Sequence, residues 1–242
     1  MNRAMYAAAS GMAAQQQNLE IIADNLANAD VAGFKRATAS FADVNAGGSL
    51  GLGTASLGRH ALFVQGKLEK SDGPFDVALD GAGFFCLEKD GRFAYTRAGE
   101  FSRAADGSVR NAEGWRLRGV TIPADALRVD VAADGHVFAA RPGAPHAASG
   151  RIDLASFIAP EGLNALSGTL FAATPESGAP RVFHPGGAVK TTLAFGMLEK
   201  SNVSIVESMM AIMTAQRAYE ANAKGVQAAD EMLRIANNLH RS

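Results

Sequence analysis

Residues 5–26 read MYAAASGMAAQQQNLEIIADNL, and residues 205–233 read IVESMMAIMTAQRAYEANAKGVQAADEML. In the first stretch Met5, Met12, Leu19 and Leu26 stand seven apart, with Ala8 and Ile22 filling in; in the second, Ile205, Ile212, Tyr219, Val226 and Leu233 do the same. A strict period of seven keeps one stripe facing a partner helix, because about 3.5 residues per turn returns every seventh residue to the same side. The pattern predicts two coiled-coil-like helices from opposite ends of the chain, paired in one layer, with further surface left over for neighbours. Met209, Met210 and Met213 supply part of that surface.

The ends of these helices carry their own signals. Asn2 is a good N-cap, and Asn-Ala-Asp-Val-Ala-Gly at 28–33 supplies stop signals, so the first helix runs for about 27 residues, or roughly 40 Å. Ser204 followed by Glu207 fits a capping box, and the second helix continues to about Leu239. Glu220 with Lys224 and Asp230 with Arg234 stand four apart in the favourable acid-first order. One seam of apolar residues does not offset the backbone entropy of ordering so long a helix. The termini are therefore expected to order fully only on assembly.

Between the helices the texture changes to short apolar runs broken by tight-turn signals. Asp80-Gly81, Asp90-Gly91, Asp106-Gly107 and Asp134-Gly135 are spaced as in a β-meander, and Arg92–Thr96 and Trp115–Arg118 alternate as strands do. Residues 40–71 are punctuated by Gly47, Gly48, Gly51, Gly53, Gly58 and Gly66. The chain is thus expected to be α+β, with residues 1–39 the N-terminal helix of a helical assembly domain and 40–71 an extended connector. Residues 72–195 form a central antiparallel, mostly-β domain, and 196–242 the C-terminal helix of the assembly domain.

The 242 residues carry a formal charge of −1. It is evenly spread: residues 1–40 hold three basic and three acidic side chains, and residues 198–242 five of each. Nucleic-acid binding needs a basic face, so a polyanion partner is not expected. No run approaches the length of a membrane span, and Met1 to Ala14 lacks the pattern of a cleaved signal peptide. The lone Cys86 sits beside Phe84, Phe85 and Leu87, which marks a buried, inert thiol. His60, His136, His146, His184 and His240 are too scattered for a local metal motif, and the aspartates before glycine are already explained as turn residues. Gly51-Leu52-Gly53 and Gly81-Ala82-Gly83 lack the third glycine of a dinucleotide fingerprint. No catalytic, cofactor or metal site is expected.

Two segments are more specific than fold class. Ile22 to Asn28, reading IADNLAN and including Asn25, Leu26, Ala27 and Asn28, is followed by Gly33, Phe34, Lys35 and Arg36. This run resembles the N-terminal signature of the flagellar rod and hook axial proteins. Leu198 to Ser204, with Ser201, Asn202 and Val203, continued by Gln216, Arg217, Ala218, Tyr219, Glu220, Ala221 and Asn222, resembles their C-terminal signature. Asp76–Phe85 and Tyr95–Phe101 extend the resemblance through the middle. Within the family, Gly162-Leu163 and Ser177–Pro180 stand nearest the distal-rod branch. The connector after Phe41 is shorter than in that branch, which leaves the proximal-rod branch as the alternative.

The resemblance implies a structural subunit of the bacterial basal-body rod, exported unprocessed by the flagellar type III apparatus. It implies helical polymerisation through the terminal helices into a torque-transmitting shaft crossing the periplasm, with other rod and hook axial proteins as partners. The interface is then expected on Met5, Met12, Leu19, Ile22 and Leu26 of the first helix and on Ile205, Met209, Ile212, Met213, Tyr219, Val226 and Leu233 of the second. Gly33 permits an unusual backbone angle after the first helix, and Phe34 anchors the turn in apolar contact. The competing class is a monomeric binding module or an enzyme built on the β domain, with the terminal helices packed internally.

Overall fold

The computed structural model describes residues 3–44, 53–142, 147–186 and 190–239, of which 3, 4, 233 and 236–239 are described as helix only. Asn2, Gly47, Gly48, Gly51, His146, His240 and the side chain of Leu233 lie outside the described residues. Two long helices bracket the chain: α1, Arg3–Ala27, and α2, Ile205–Leu239. The first stops where Asn28 and Ala29 turn back on the carbonyls of Asn25 and Leu26. The second starts where predicted, with the Glu207 amide donating to Ser204 Oγ at 3.3 Å. The Glu207 carboxylate does not close the box; it turns to Arg36 at 3.4 Å. Arg234 likewise pairs with Glu231 at 2.7 Å, not with Asp230, because three residues along a helix bring side chains as close as four do.

The chain divides into two compact units: Met1–Ala29, Arg36–Leu62 and Val203–Ser242 make the first, Asp30–Lys35 and Phe63–Asn202 the second. In the first unit α1 and α2 pack along each other. An antiparallel hairpin of β1 (Ala37–Asp43) and β2 (Thr54–Ala61) lies against α1. The stretch 40–71 is therefore shared: its first part lies in this hairpin, with a register shift between Ser40, which faces Gly58, and Phe41, which faces Ser56. Its last part belongs to the second unit.

The second unit is antiparallel β. Its strands are β3 (Leu68–Lys70), β4 (Val77–Asp80), β5 (Phe84–Lys89), β6 (Arg92–Thr96), β7 (Ser102–Arg103), β8 (Ser108–Arg110), β9 (Arg116–Thr121) and β10 (Arg128–Val131). They continue as β11 (His136–Ala140), β12 (Ala147–Arg151), β13 (Leu154–Ser156), β14 (Asn164–Ser167), β15 (Leu170–Ala172), β16 (Arg181–Phe183), β17 (Thr192–Phe195) and β18 (Met197–Glu199). The main sheet runs β10-β11-β12-β9-β5-β6-β15-β14, while β17 pairs β4 and β18 pairs β3. Phe85, Leu87, Leu117, Ile122, Ile152, Leu154 and Leu170 are among the side chains that fill the core.

Three of the four Asp-Gly turns join paired strands. Asp90 and Gly91 take φ of 51° and 73° between β5 and β6, the two positive angles a type I′ hairpin needs. Asp106-Gly107 joins β7 to β8, and Asp134-Gly135 joins β10 to β11. Asp80-Gly81 does not make a hairpin, since β4 takes its partner from β17 far along the chain.

Candidate assembly interface

The helical unit separates two kinds of seam. Among the described residues of α2, Ser208, Ala215 and Ala229 are buried; with Asn222 they form a seven-residue repeat of small side chains, offset by three from the repeat that begins at Ile205. This small stripe makes the close approach between helices: a Cβ added to Gly11 of α1 would lie 3.0 Å from Asn222 Nδ2. The large apolar stripe is used less. Ile205 and Tyr219 are exposed, and Ile212 and Val226 half-buried. Val206, Met209, Met210 and Met213 are each more than half exposed. On α1, Met5, Met12, Leu19, Ile22 and Leu26 are all half-buried, and among the described residues Ile21 is the apolar side chain that is buried. Gln216, Arg217 and Glu220 point to solvent. A repeat of small residues at the second coiled-coil position was a readable signal that attention to large side chains passes over.

The N-terminal signature residues have separate tasks. Asn25, 3% exposed, grips the backbone of Ala37: its Nδ2 donates to the Ala37 carbonyl and its Oδ1 accepts the Ala37 amide, both at 2.8 Å. An asparagine suits this because one side chain supplies a donor and an acceptor side by side. Asn28 instead bonds back to Asp24, through the carbonyl at 2.8 Å and Oδ1 at 3.1 Å. Leu26 is half-buried and Ala27 exposed. Asp24 also reaches Arg59 of β2 at 2.5 Å, and a cleft of about 220 Å³ lined by Asn18, Ile22, Arg36, Glu207 and Ala211 runs across the same unit.

Gly33, Phe34 and Lys35 belong to the β unit. Gly33 has φ of 70°, and a Cβ there would sit 2.2 Å from the Ala98 amide nitrogen, so a side chain is excluded by space as well as by backbone angle. Its N–H donates to the Glu199 carbonyl at 2.7 Å. Phe34 is buried. Lys35 Nζ donates to Glu199 Oε1 at 2.5 Å and to the Val64 carbonyl at 2.8 Å. Glu199 also receives the Gly66 amide at 2.8 Å and Arg97 Nη1 at 3.4 Å. From the C-terminal signature, Asn202 donates to Val64 at 3.0 Å, while Ser201 and Val203 are half-buried beside it in sequence. Burial holds Lys35 and Arg97 below their ordinary pKa values, against the opposing pull of Glu199. Arg97, Glu199 and Gly66 lie in stretches the sequence marks, Tyr95–Phe101, Leu198–Ser204 and the glycine-punctuated 40–71, but nothing local says that they meet, because their meeting is made by tertiary structure.

Chemistry finds little else. Cys86 is buried, and desolvation pushes its thiol up to about 12. His136 contacts Asp134 at 2.8 Å and His184 lies 3.6 Å from Asp153, both near the surface. Among the described residues no group of His, Cys, Asp and Glu could hold a metal ion, and no helix is long and apolar enough to cross a membrane.

Comparison with known proteins places this geometry. The chain matches the family models described as flagellar basal-body rod protein over residues 5–35, FlgE/F/G hook-protein D1 domain over 78–139, and basal-body rod FlgEFG C-terminal over 195–239. It is 36% identical to the flagellar basal-body rod protein FlgG of Borreliella burgdorferi, covering 100% of both chains. It is 37% identical to that of Agrobacterium fabrum, over 97% of this chain and 98% of the relative. A 38% match to the flagellar hook protein FlgE of Salmonella typhimurium covers 46% of this chain and 28% of the relative. With two long helices that close on each other through small residues, an antiparallel β unit between them in sequence, and full-length similarity to those rod proteins, the chain belongs to the FlgG family of flagellar basal-body rod proteins.

Proposed function

We propose that this chain is a structural subunit of the distal part of the bacterial flagellar rod, polymerising helically through its terminal helices into the shaft that carries torque from motor to hook. The observation that carries the reading is the division of labour on α2. Small residues close the contact with α1, while Ile205, Val206, Met209, Met210 and Met213 stay accessible. An apolar stripe of that length on a helix end is suited to a neighbouring copy or another axial protein. Its residues fall four apart, at 205, 209 and 213 and at 206 and 210, which sets them along one face of the helix. A shaft needs contacts that repeat without closing, which heterologous interfaces related by a screw operation supply. The subunit works in the basal body, in the rod that crosses the periplasm. It reaches that place through the flagellar type III export apparatus.

The test is a pair of charges on the accessible stripe, Met209→Glu with Met213→Glu, in the full chain. Both positions are solvent-facing, so the free subunit should keep its stability to within about 0.5 kcal/mol and its helical circular dichroism. Polymerisation, followed by sedimentation and electron microscopy, should be lost, together with motility in a complemented strain. Deleting 1–30 or 205–242 should also abolish incorporation while leaving the β unit folded. Filaments and swimming indistinguishable from the unaltered chain would overturn the reading.

A further inference from the structure

Four stretches of chain far apart in sequence meet at one carboxylate. Glu199, whose side chain is 0% exposed, receives Lys35, Gly66 and Arg97, and its own carbonyl receives Gly33. Lys35 is also 0% exposed and Arg97 4%. The cluster holds two cations and one anion, so one positive charge is in excess in a buried site. The excess is spread over the Val64 carbonyl, which Lys35 reaches, and over the Phe84 ring, whose centroid lies 5.5 Å from the Arg97 guanidinium carbon. Among the described residues Arg97 Nε has no hydrogen-bond partner.

The location matters as much as the charge. The chain passes between the two compact units at 29/30, 35/36, 62/63 and 202/203, and Gly33, Lys35, Val64, Gly66, Glu199 and Asn202 all lie within four residues of one of those crossings. Each of them bonds to another of the group. Gly66 is held by space too, since a Cβ there would fall 1.9 Å from the Lys200 carbonyl oxygen.

We infer that Glu199 is the anionic centre of a lock that makes the crossing segments 30–35, 64–67 and 199–202 a single cooperative element. The N-terminal signature is then seated only when the C-terminal one is. The lock operates in the free subunit and goes beyond the assembly reading. Its energetics are lopsided. Removing the Glu199 charge strands two buried cations, whereas removing Lys35 leaves Arg97 and Glu199 as a balanced pair.

Amide hydrogen exchange on the full-length monomer tests this, comparing Glu199→Gln and Lys35→Met with the unaltered chain in enough urea to match each variant's global stability. Glu199→Gln should raise exchange in 30–35, 64–67 and 199–202 together by at least tenfold over the stability-matched chain, leaving amides 84–87 of β5 unchanged. Lys35→Met should raise it less than a third as much. Should Glu199→Gln fail to fold, Glu199→Asp takes its place with a smaller rise expected in the same three segments together, since it keeps the charge but draws the carboxylate back by one methylene. A uniform loss of protection across the β unit, segments that respond separately, or a Lys35→Met effect as large as that at Glu199 would each overturn the lock. None of these readings depends on polymerisation.

Discussion

Asn25→Asp changes one atom of the side chain and should cost the helical unit more than its size suggests. In the native chain the amide of Asn25 gives a donor to the Ala37 carbonyl and an acceptor to the Ala37 amide, each at 2.8 Å, with Asn25 3% and Ala37 4% exposed. Asn25→Ala leaves one backbone donor and one acceptor buried without partners, about 1–3 kcal/mol each. The better helix propensity of alanine returns no more than about 0.7 kcal/mol, so the net loss is about 1.5–5 kcal/mol. The aspartate keeps the acceptor but sets a buried negative oxygen against the Ala37 carbonyl, and at neutral pH it should lose at least as much as alanine. Protonation reverses the conflict, because a carboxylic acid can donate to that carbonyl. The folded-state pKa of the new carboxyl is therefore raised above its unfolded value of about 3.9. Its stabilising share is present below that unfolded value and disappears as pH rises through the folded one. Urea unfolding followed at 222 nm, repeated from pH 7 to pH 4, measures both effects. Asn28→Ala, whose bonds stay within its own helix, serves as the control at under about 1 kcal/mol. An Asn25→Asp chain within about 0.5 kcal/mol of the unaltered one at pH 7 would refute the argument that the Ala37 grip fastens hairpin to helix.

Gly33→Ala meets both a φ of 70° and the Ala98 backbone at 2.2 Å, and should cost about 2–5 kcal/mol from strain and overpacking together; an unchanged Tm counts against it. Ala215→Leu forces a large side chain into the small-residue seam, where Ala215 is buried, and should lower helix stability by about 1–3 kcal/mol in circular dichroism melts. If it is tolerated without loss, the seam is placed wrongly. Cys86, buried and with its thiol pushed up to about 12, should resist a thiol reagent such as dithionitrobenzoate at pH 8 and react only as fast as the β unit opens. Immediate labelling of the native chain would contradict that burial.

Elements specified by neighbouring residues were legible in the sequence. The α2 start at Ser204 and the hairpin at Asp90-Gly91 follow from side chains within a few positions of each other. The α+β order, with helices at both ends, follows from a change of period from seven to two. Asp80-Gly81 looked the same as the other turns but ends a strand whose partner is β17, and no local signal encodes a pairing of that separation. The Asn25 signature was visible as a motif while its task was not, since Ala37 carries no distinctive side chain. Glu199 shows the limit most clearly. It is an ordinary acidic residue in a short strand until folding brings Lys35, Gly66 and Arg97 to it.

The segregation of stripes on α2 also creates a storage problem. Because the large apolar residues take little part in closing the internal seam, Met209, Met210 and Met213 are exposed in the folded subunit, and on the proposed reading it is adhesive without any later conformational step. On that reading, two copies meeting too early would join through the surface that is to meet the growing end. A cell making this chain would then have to keep it dilute or covered until it reaches that end, and the timing of assembly would rest with supply and not with a switch in the helix.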